Sequence, residues 1–226
     1  MRVVIFGASG MLGQGVLREC LRAPDVEQVV TIVRRPSGAS DPKLIECVHA
    51  DLLDYRAVEA MLAGLDACYF CLGVASVGLS EAQYTRVTYD IALAAGRTLA
   101  RLNPHMTFIF VSGQGTDATE KGSTMWARVK GRTENALRAL PFKAVYAFRP
   151  GFIQPLHGAR SRTRAYRLTY AILAPVMPLL RALFPNQVLT TEVIGQAMLN
   201  ITRHGAPHPI LDAREINAAA NVARSV

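Results

Sequence analysis

Val3-Val4-Ile5-Phe6-Gly7-Ala8-Ser9-Gly10-Met11-Leu12-Gly13 runs an apolar segment into glycines at every third position. Val16, Leu17, Cys20 and Leu21 then follow at helical spacing. A strand, a glycine loop and a helix in that order suit the pyrophosphate of a dinucleotide. The first glycine permits a tight turn, the second lets the backbone approach the phosphates, and the third lets helix and strand pack closely. The start of the helix supplies unpaired N–H groups and the positive end of its dipole. The pattern also lies where it is most informative, at the first strand–helix junction of an alternating chain. Gly7, Ser9, Gly10, Met11, Leu12 and Gly13 are therefore candidate cofactor contacts.

The alternation continues outward from this loop. Strand-like runs recur at Val29–Val33, Leu44–His49, Ala67–Leu72, Thr107–Ser112 and Ala144–Phe148. Helical patterns lie near Arg56–Leu62, Glu81–Leu102 and Arg128–Leu140, with Ser80 and Gln83 spaced as a capping box. Near-continuous apolar strands alternating with helices predict an α/β, Rossmann-type, doubly wound parallel sheet with helices on both faces. After Pro150 the rhythm changes. Residues 151–164 read as a loop, a helical segment runs to about Phe184, and a helix covers Thr191–Arg203. A short strand and helix close the chain near Ile210–Ala220. We expect one NAD(P)-binding domain over 1–226, with 151–188 as a small, mostly helical substrate cap.

Composition narrows the function classes. The chain has 226 residues, half of them hydrophobic and only 19% charged, which supports a large core and argues against disorder. Its formal charge of +8 meets the electrostatic criterion for nucleic-acid binding, but no matching motif accompanies it. The local concentration of Arg160, Arg162, Arg164 and Arg167 precedes an apolar stretch, Leu168–Leu180. That stretch is too short to span a bilayer and contains Pro175 and Pro178. Membrane-surface contact is thus a minor reading. Cys68 and Cys71 form a C-x-x-C, yet in a strand residues three apart face opposite ways, so no metal site or redox pair is expected. The absence of an apolar leader sets cytoplasm as the expected location.

The strand ends carry the remaining signals. Arg34 and Arg35 close the second strand, where NAD-preferring domains place an acid to bind the ribose hydroxyls. Arginine's planar fork instead suits a 2′-phosphate, so the expected cofactor is NADP, with NADPH preferred over NADH. Asp51, ahead of Leu52, either bonds the adenine amino group or caps its own loop. In Cys71-Leu72-Gly73 the glycine lets backbone lie against a cofactor.

Together these segments resemble the short-chain dehydrogenase/reductase superfamily, in its atypical NAD(P)-binding branch. The nearest group contains nitrogen-metabolite-repressor-like and Tat-interacting-oxidoreductase-like proteins. Val111-Ser112-Gly113, Val129-Lys130-Gly131 and Arg149-Pro150-Gly151-Phe152 complete the ordered set, which covers about the first 155 residues. The resemblance implies a catalytic Ser, Tyr and Lys, the last two as Tyr-x-x-x-Lys on one helix. It assigns Lys130 a catalytic and ribose-binding role, and it makes Ser112 the nearest candidate serine.

Position 126, where the tyrosine belongs, is tryptophan. An indole N–H donates a hydrogen bond but has no proton to transfer near neutral pH. Tyr84, Tyr89 and His157 are weaker candidates for a replacement acid. In an α-helix the two tyrosines, five residues apart, would not share a face. Two functions follow. One is a reductase of a small apolar substrate with a non-standard site. The other is a non-catalytic NADP(H) sensor or regulator acting through a protein partner.

Overall fold

The structure, a computed structural model, describes residues 1–159 and 188–222. Its core is a seven-stranded sheet in the spatial order β3 (Leu44–Val48), β2 (Gln28–Val33), β1 (Arg2–Phe6), β4 (Ala67–Phe70), β5 (Thr107–Val111), β6 (Ala144–Arg149) and β9 (Ile210–Asp212). Every neighbouring pair is parallel. Val3 pairs with Val29 on one side and with Ala67 on the other. The chain winds outward through β2 and β3, then returns across β1 to start again at β4. Strand order therefore reverses between β1 and β4, and loops leaving their carboxyl ends must diverge. That divergence opens a crevice, the usual ligand position in open α/β sheets.

Side chains alternate across the sheet and feed two cores. On one face Val3, Ile5, Tyr69, Ile109 and Phe148 pack against α1 (Met11–Arg22), α6 (Thr191–His204) and α7 (Ala213–Asn221). On the other, Val4, Phe6, Cys68, Phe70, Phe108 and Phe110 meet α2 (Glu59–Leu62), α4 (Ile91–Leu102) and α5 (Met125–Arg138). Full burial of each such side chain contributes roughly 1.5–3 kcal/mol before entropy is counted. Cys68 and Cys71 belong to opposite faces, and burial pushes both thiols up, Cys71 to about 12.

The helix expected over Glu81–Leu102 is present, but its hydrogen-bond pattern changes partway. It begins as α3 (Glu81–Thr85) under the Ser80–Gln83 capping box. It then widens to a π turn at Arg86–Asp90 and resumes as α4. The loop expected from residue 151 instead holds a short strand, β7 (Phe152–Gln154), paired in parallel with β8 (Val188–Thr190). The helical segment to Phe184, the Arg160–Arg167 cluster, the Leu168–Leu180 stretch and most of the 151–188 cap lie outside the described residues. No helix among the described residues is long and apolar enough to cross a membrane.

Candidate dinucleotide and substrate crevice

The glycine loop connects β1 to α1 in a conformation that other residues would not fit. Gly7 has φ +80°, and a Cβ there would lie 2.7 Å from the Leu72 backbone nitrogen. A Cβ on Gly13 would stand 2.1 Å from the Gly7 carbonyl oxygen. The first turn of α1 contains no acidic residue, and its N-cap, Gly10, offers no side chain to the free N–H groups. Such a helix start presents donors and a partial positive charge to an anion. The residues present fit a dinucleotide pyrophosphate.

Beside this loop opens a cavity of about 560 Å3 lined by Phe6, Gly7, Ser9, Ile32, Val33, Arg34, Arg35, Ala50, Leu52 and Leu72. The β2 and β4 sides thus bring Arg34, Arg35 and Leu72 together with the glycine loop. Both guanidiniums are exposed, and neither pairs with a carboxylate among the described residues. Phe6, Ile32, Val33 and Ala50 were missed as lining residues. Their signal was their place at or just past the carboxyl ends of strands. Asp51 does not line this cavity. It faces a neighbouring recess with His49, Asp54 and Arg56, and its Oδ1 accepts a hydrogen bond from the Leu53 N–H at 3.0 Å.

The other half of the candidate crevice, outside that cavity but along the same carboxyl edge of the sheet, is built on β5, α5 and β6. The turn after β5 is pressed onto α5, since a Cβ on Gly131 would fall 1.8 Å from the Asp117 carbonyl. Trp126, in the first turn of α5, lies over that turn: its ring is 3.5 Å from a Cβ built on Gly115 and 4.0 Å from one on Gly113. One turn along the helix, Lys130 Nζ donates to the carbonyls of Ser112 at 2.8 Å and Val111 at 3.5 Å. The ammonium also sits 5.9 Å from the centre of the Phe110 ring. Burial in this apolar setting draws the Lys130 pKa down to about 8, while the Glu134 carboxylate opposes the shift.

Ser112 does not turn its hydroxyl toward Lys130. Its Oγ lies 2.9 Å from Thr116 Oγ1, which itself donates to the Gly113 carbonyl at 2.8 Å. The Thr116 hydrogen being directed there, Ser112 is the donor of the pair, so both hydroxyls serve the turn. Behind Lys130, Glu134 is fully buried and receives both arms of Arg149 from β6, at 3.0 and 2.6 Å.

The weaker acid candidates scatter. Tyr84 is buried on α3, and the Tyr89 ring is covered by Arg132, 4.2 Å from its centre. The π turn between them reaches five residues back, so the α-helical argument for separating their faces does not hold there. His157, in the left-handed region at φ 54°, pairs with Glu192 Oε2 at 2.7 Å beside the start of α6. Among the described residues, no group of three His, Cys, Asp or Glu side chains is placed to hold a metal ion.

Comparison with known proteins agrees with this geometry. A family described as NAD(P)H-binding matches residues 7–180. The chain is 27% identical over 206 residues to Protein fmp52, mitochondrial, of Emericella nidulans, covering 88% of this chain and 85% of that one. It is 27% identical over 154 residues to Protein HTATIP2 of Rattus norvegicus, covering 67% and 62%. Uronate dehydrogenase from Agrobacterium tumefaciens superposes with a TM-score of 0.64 at 21% identity, over 94% of this chain and 76% of that one. These matches bear out the expected resemblance to atypical short-chain dehydrogenases and the Rossmann-type fold.

The same names correct the expected cytoplasmic location. Fungal relatives matched over most of the chain are called mitochondrial, not cytoplasmic. By the family match over most of its length, with a glycine loop and crevice of the required form, the chain belongs to the NAD(P)H-binding family.

Proposed function

We propose that the protein is an NADP(H)-dependent reductase of a small apolar acceptor. The observation that carries the cofactor choice is the pair of exposed arginines lining the cavity, Arg34 and Arg35, with no acid among the described residues that line it. An arginine–phosphate pair is charge-assisted and bidentate, and a ribose lacking the phosphate offers no equivalent acceptor. In this reading Gly7, Ser9, Gly10, Met11, Leu12 and Gly13 cradle the pyrophosphate. Arg34 and Arg35 take the 2′-phosphate, Leu52, Cys71, Leu72 and Gly73 flank the adenosine and pyrophosphate, and Lys130 stands beside the nicotinamide. When bound, the reduced nicotinamide supplies hydride.

Exposed Val74 and Val77 follow β4, and exposed Phe152 follows β6, so the carboxyl edge offers apolar contacts to an acceptor. We assign 1–226 to one domain and 151–188 to its substrate cap. A second reading, a non-catalytic sensor, is favoured by Trp126 in place of a phenol and by Ser112 being occupied within its own turn. Trp126 is the sole tryptophan, so its fluorescence reports on the crevice. NADPH should quench it at lower concentration than NADH. Equal affinities would refute the arginine argument. NADPH oxidation with aldehydes, quinones and flavins then separates reductase from sensor.

A further inference from the structure

We propose that Lys130 is itself the proton donor of this reduction, standing in for the phenol absent at position 126; the proposal rests on reading the crevice as a reductase site. The argument starts from placement. The Lys130 ammonium is fixed at the carboxyl end of β5 by two backbone carbonyls, those of Ser112 and Val111. An ammonium has three N–H donors, so one remains for a ligand.

The neighbouring groups cannot do the same work. Trp126 has no transferable proton near neutral pH. The Ser112 hydroxyl donates to Thr116, whose own hydrogen is directed to the Gly113 carbonyl, so that chain ends on an acceptor inside the turn. Tyr89 is stacked beneath Arg132, and His157 is engaged by Glu192.

The electrostatics suit the role. On α5 itself Glu134 acts on Lys130, and from β6 Arg149 occupies both oxygens of that carboxylate. Among the described residues, no other charged group acts appreciably on Lys130. Desolvation therefore prevails, and an acid titrating near 8 is matched to proton transfer around neutral pH.

For a carbonyl acceptor the step balances as follows. The acceptor carbon gains hydride, with its electron pair, from the reduced nicotinamide dinucleotide, which is oxidised. The C=O π pair moves onto oxygen, the Nζ–H bond of Lys130 breaks, and that proton forms the O–H bond. The electron pair left on Nζ takes a proton from water before the next cycle.

Two measurements test this. The chain has four lysines, Lys43, Lys121, Lys130 and Lys143, so lysine Cε resonances of the isotope-labelled apoprotein are resolvable across a pH titration. One resonance should titrate near 8 and vanish in Lys130→Arg. In the second, NADPH is mixed with 4-nitrobenzaldehyde in single-turnover experiments. Lys130→Arg should keep NADPH quenching of Trp126 yet reduce the probe about 100-fold more slowly or worse. The wild-type rate should fall tenfold per pH unit well above the midpoint.

Four lysines titrating in the ordinary range would overturn the proposal. So would wild-type rates in Lys130→Arg, or no reduction of the probe while NADPH still binds. Failure of NADPH to quench wild-type Trp126 would instead remove the cofactor reading, and this proposal with it.

Discussion

The two halves of the crevice differ in what defines them. Around β1, α1 and β2 the site is backbone: Gly7 against Leu72, Gly13 against Gly7, and an uncapped helix start. Around β5, α5 and β6 it is side chain: Ser112 on Thr116, Lys130 on two carbonyls, Glu134 on Arg149. The first half leaves its donors open to a ligand. In the second half, most polar groups already have partners within the fold. Holding a dinucleotide needs only the former, which explains how a chain can belong to an NAD(P)H-binding family while lacking the phenol expected of its reductases.

The largest expected effect breaks the first half. Gly13→Ala forces a methyl onto the Gly7 carbonyl, and should cost about 4 kcal/mol or more in urea unfolding. NADPH binding should vanish with it. A mild loss would mean that the loop relaxes and that its geometry is not imposed by backbone contact.

In the second half, Glu134→Ala strands Arg149 without its carboxylate and should destabilise by about 3–5 kcal/mol, again by urea unfolding. Here the origin is an unpaired charge and not a clash, so Glu134→Gln should recover part of the loss. Equal losses in both variants would contradict that distinction.

Smaller still is Arg34→Asp, which should weaken NADPH binding by about 1.5–3 kcal/mol. NADH affinity should change less, narrowing the gap between the two cofactors in Trp126 quenching. An unchanged gap would shift the phosphate contact to Arg35 or abolish it.

The smallest effect is a control away from both halves. Arg203 makes a paired contact with Asp25, at 3.0 and 2.6 Å, and holds that carboxyl below its usual range. A depressed carboxylate stabilises the fold above its unfolded pKa, and that contribution disappears as pH falls through the lower folded value. Arg203→Ala should therefore cost under about 1 kcal/mol at pH 7, with partial exposure weakening the pair. The difference from wild type should vanish in acid below the ordinary Asp range, and cofactor binding should not change at any pH.

What could be read from the sequence follows the same division. Glycines at 7, 10 and 13 report on backbone geometry directly, because only a missing Cβ satisfies those contacts. Near-continuous apolar runs located the inner strands β1, β2, β4 and β5 for a similar reason, since burial on both faces constrains nearly every residue. The π turn at Arg86–Asp90 has no such marker: its residues are compatible with an ordinary helix. The Ser112–Thr116 bond was equally hidden, as serine at a strand end is read from its position and not from its partner. Asp51 could be a cofactor ligand or a loop cap on sequence, and the Leu53 N–H contact displays the second role. β7 and β8 were too short to show periodicity, and pairing between residues 152–154 and 188–190 is not encoded locally.

The seat of α6 on α1 has a consequence for how the chain acquires its site. A Cβ on Gly15 would collide with Thr191, and one on Gly195 with Glu19, so the two helices meet at close range across about 175 residues of chain. During synthesis the apolar side of α1 has no α6 to cover it until about 175 further residues have been made. Such long-range contacts slow folding, and the uncovered surface is a target for chaperones in the interval. The glycine loop is thus made long before the helix that covers the α1 it opens into.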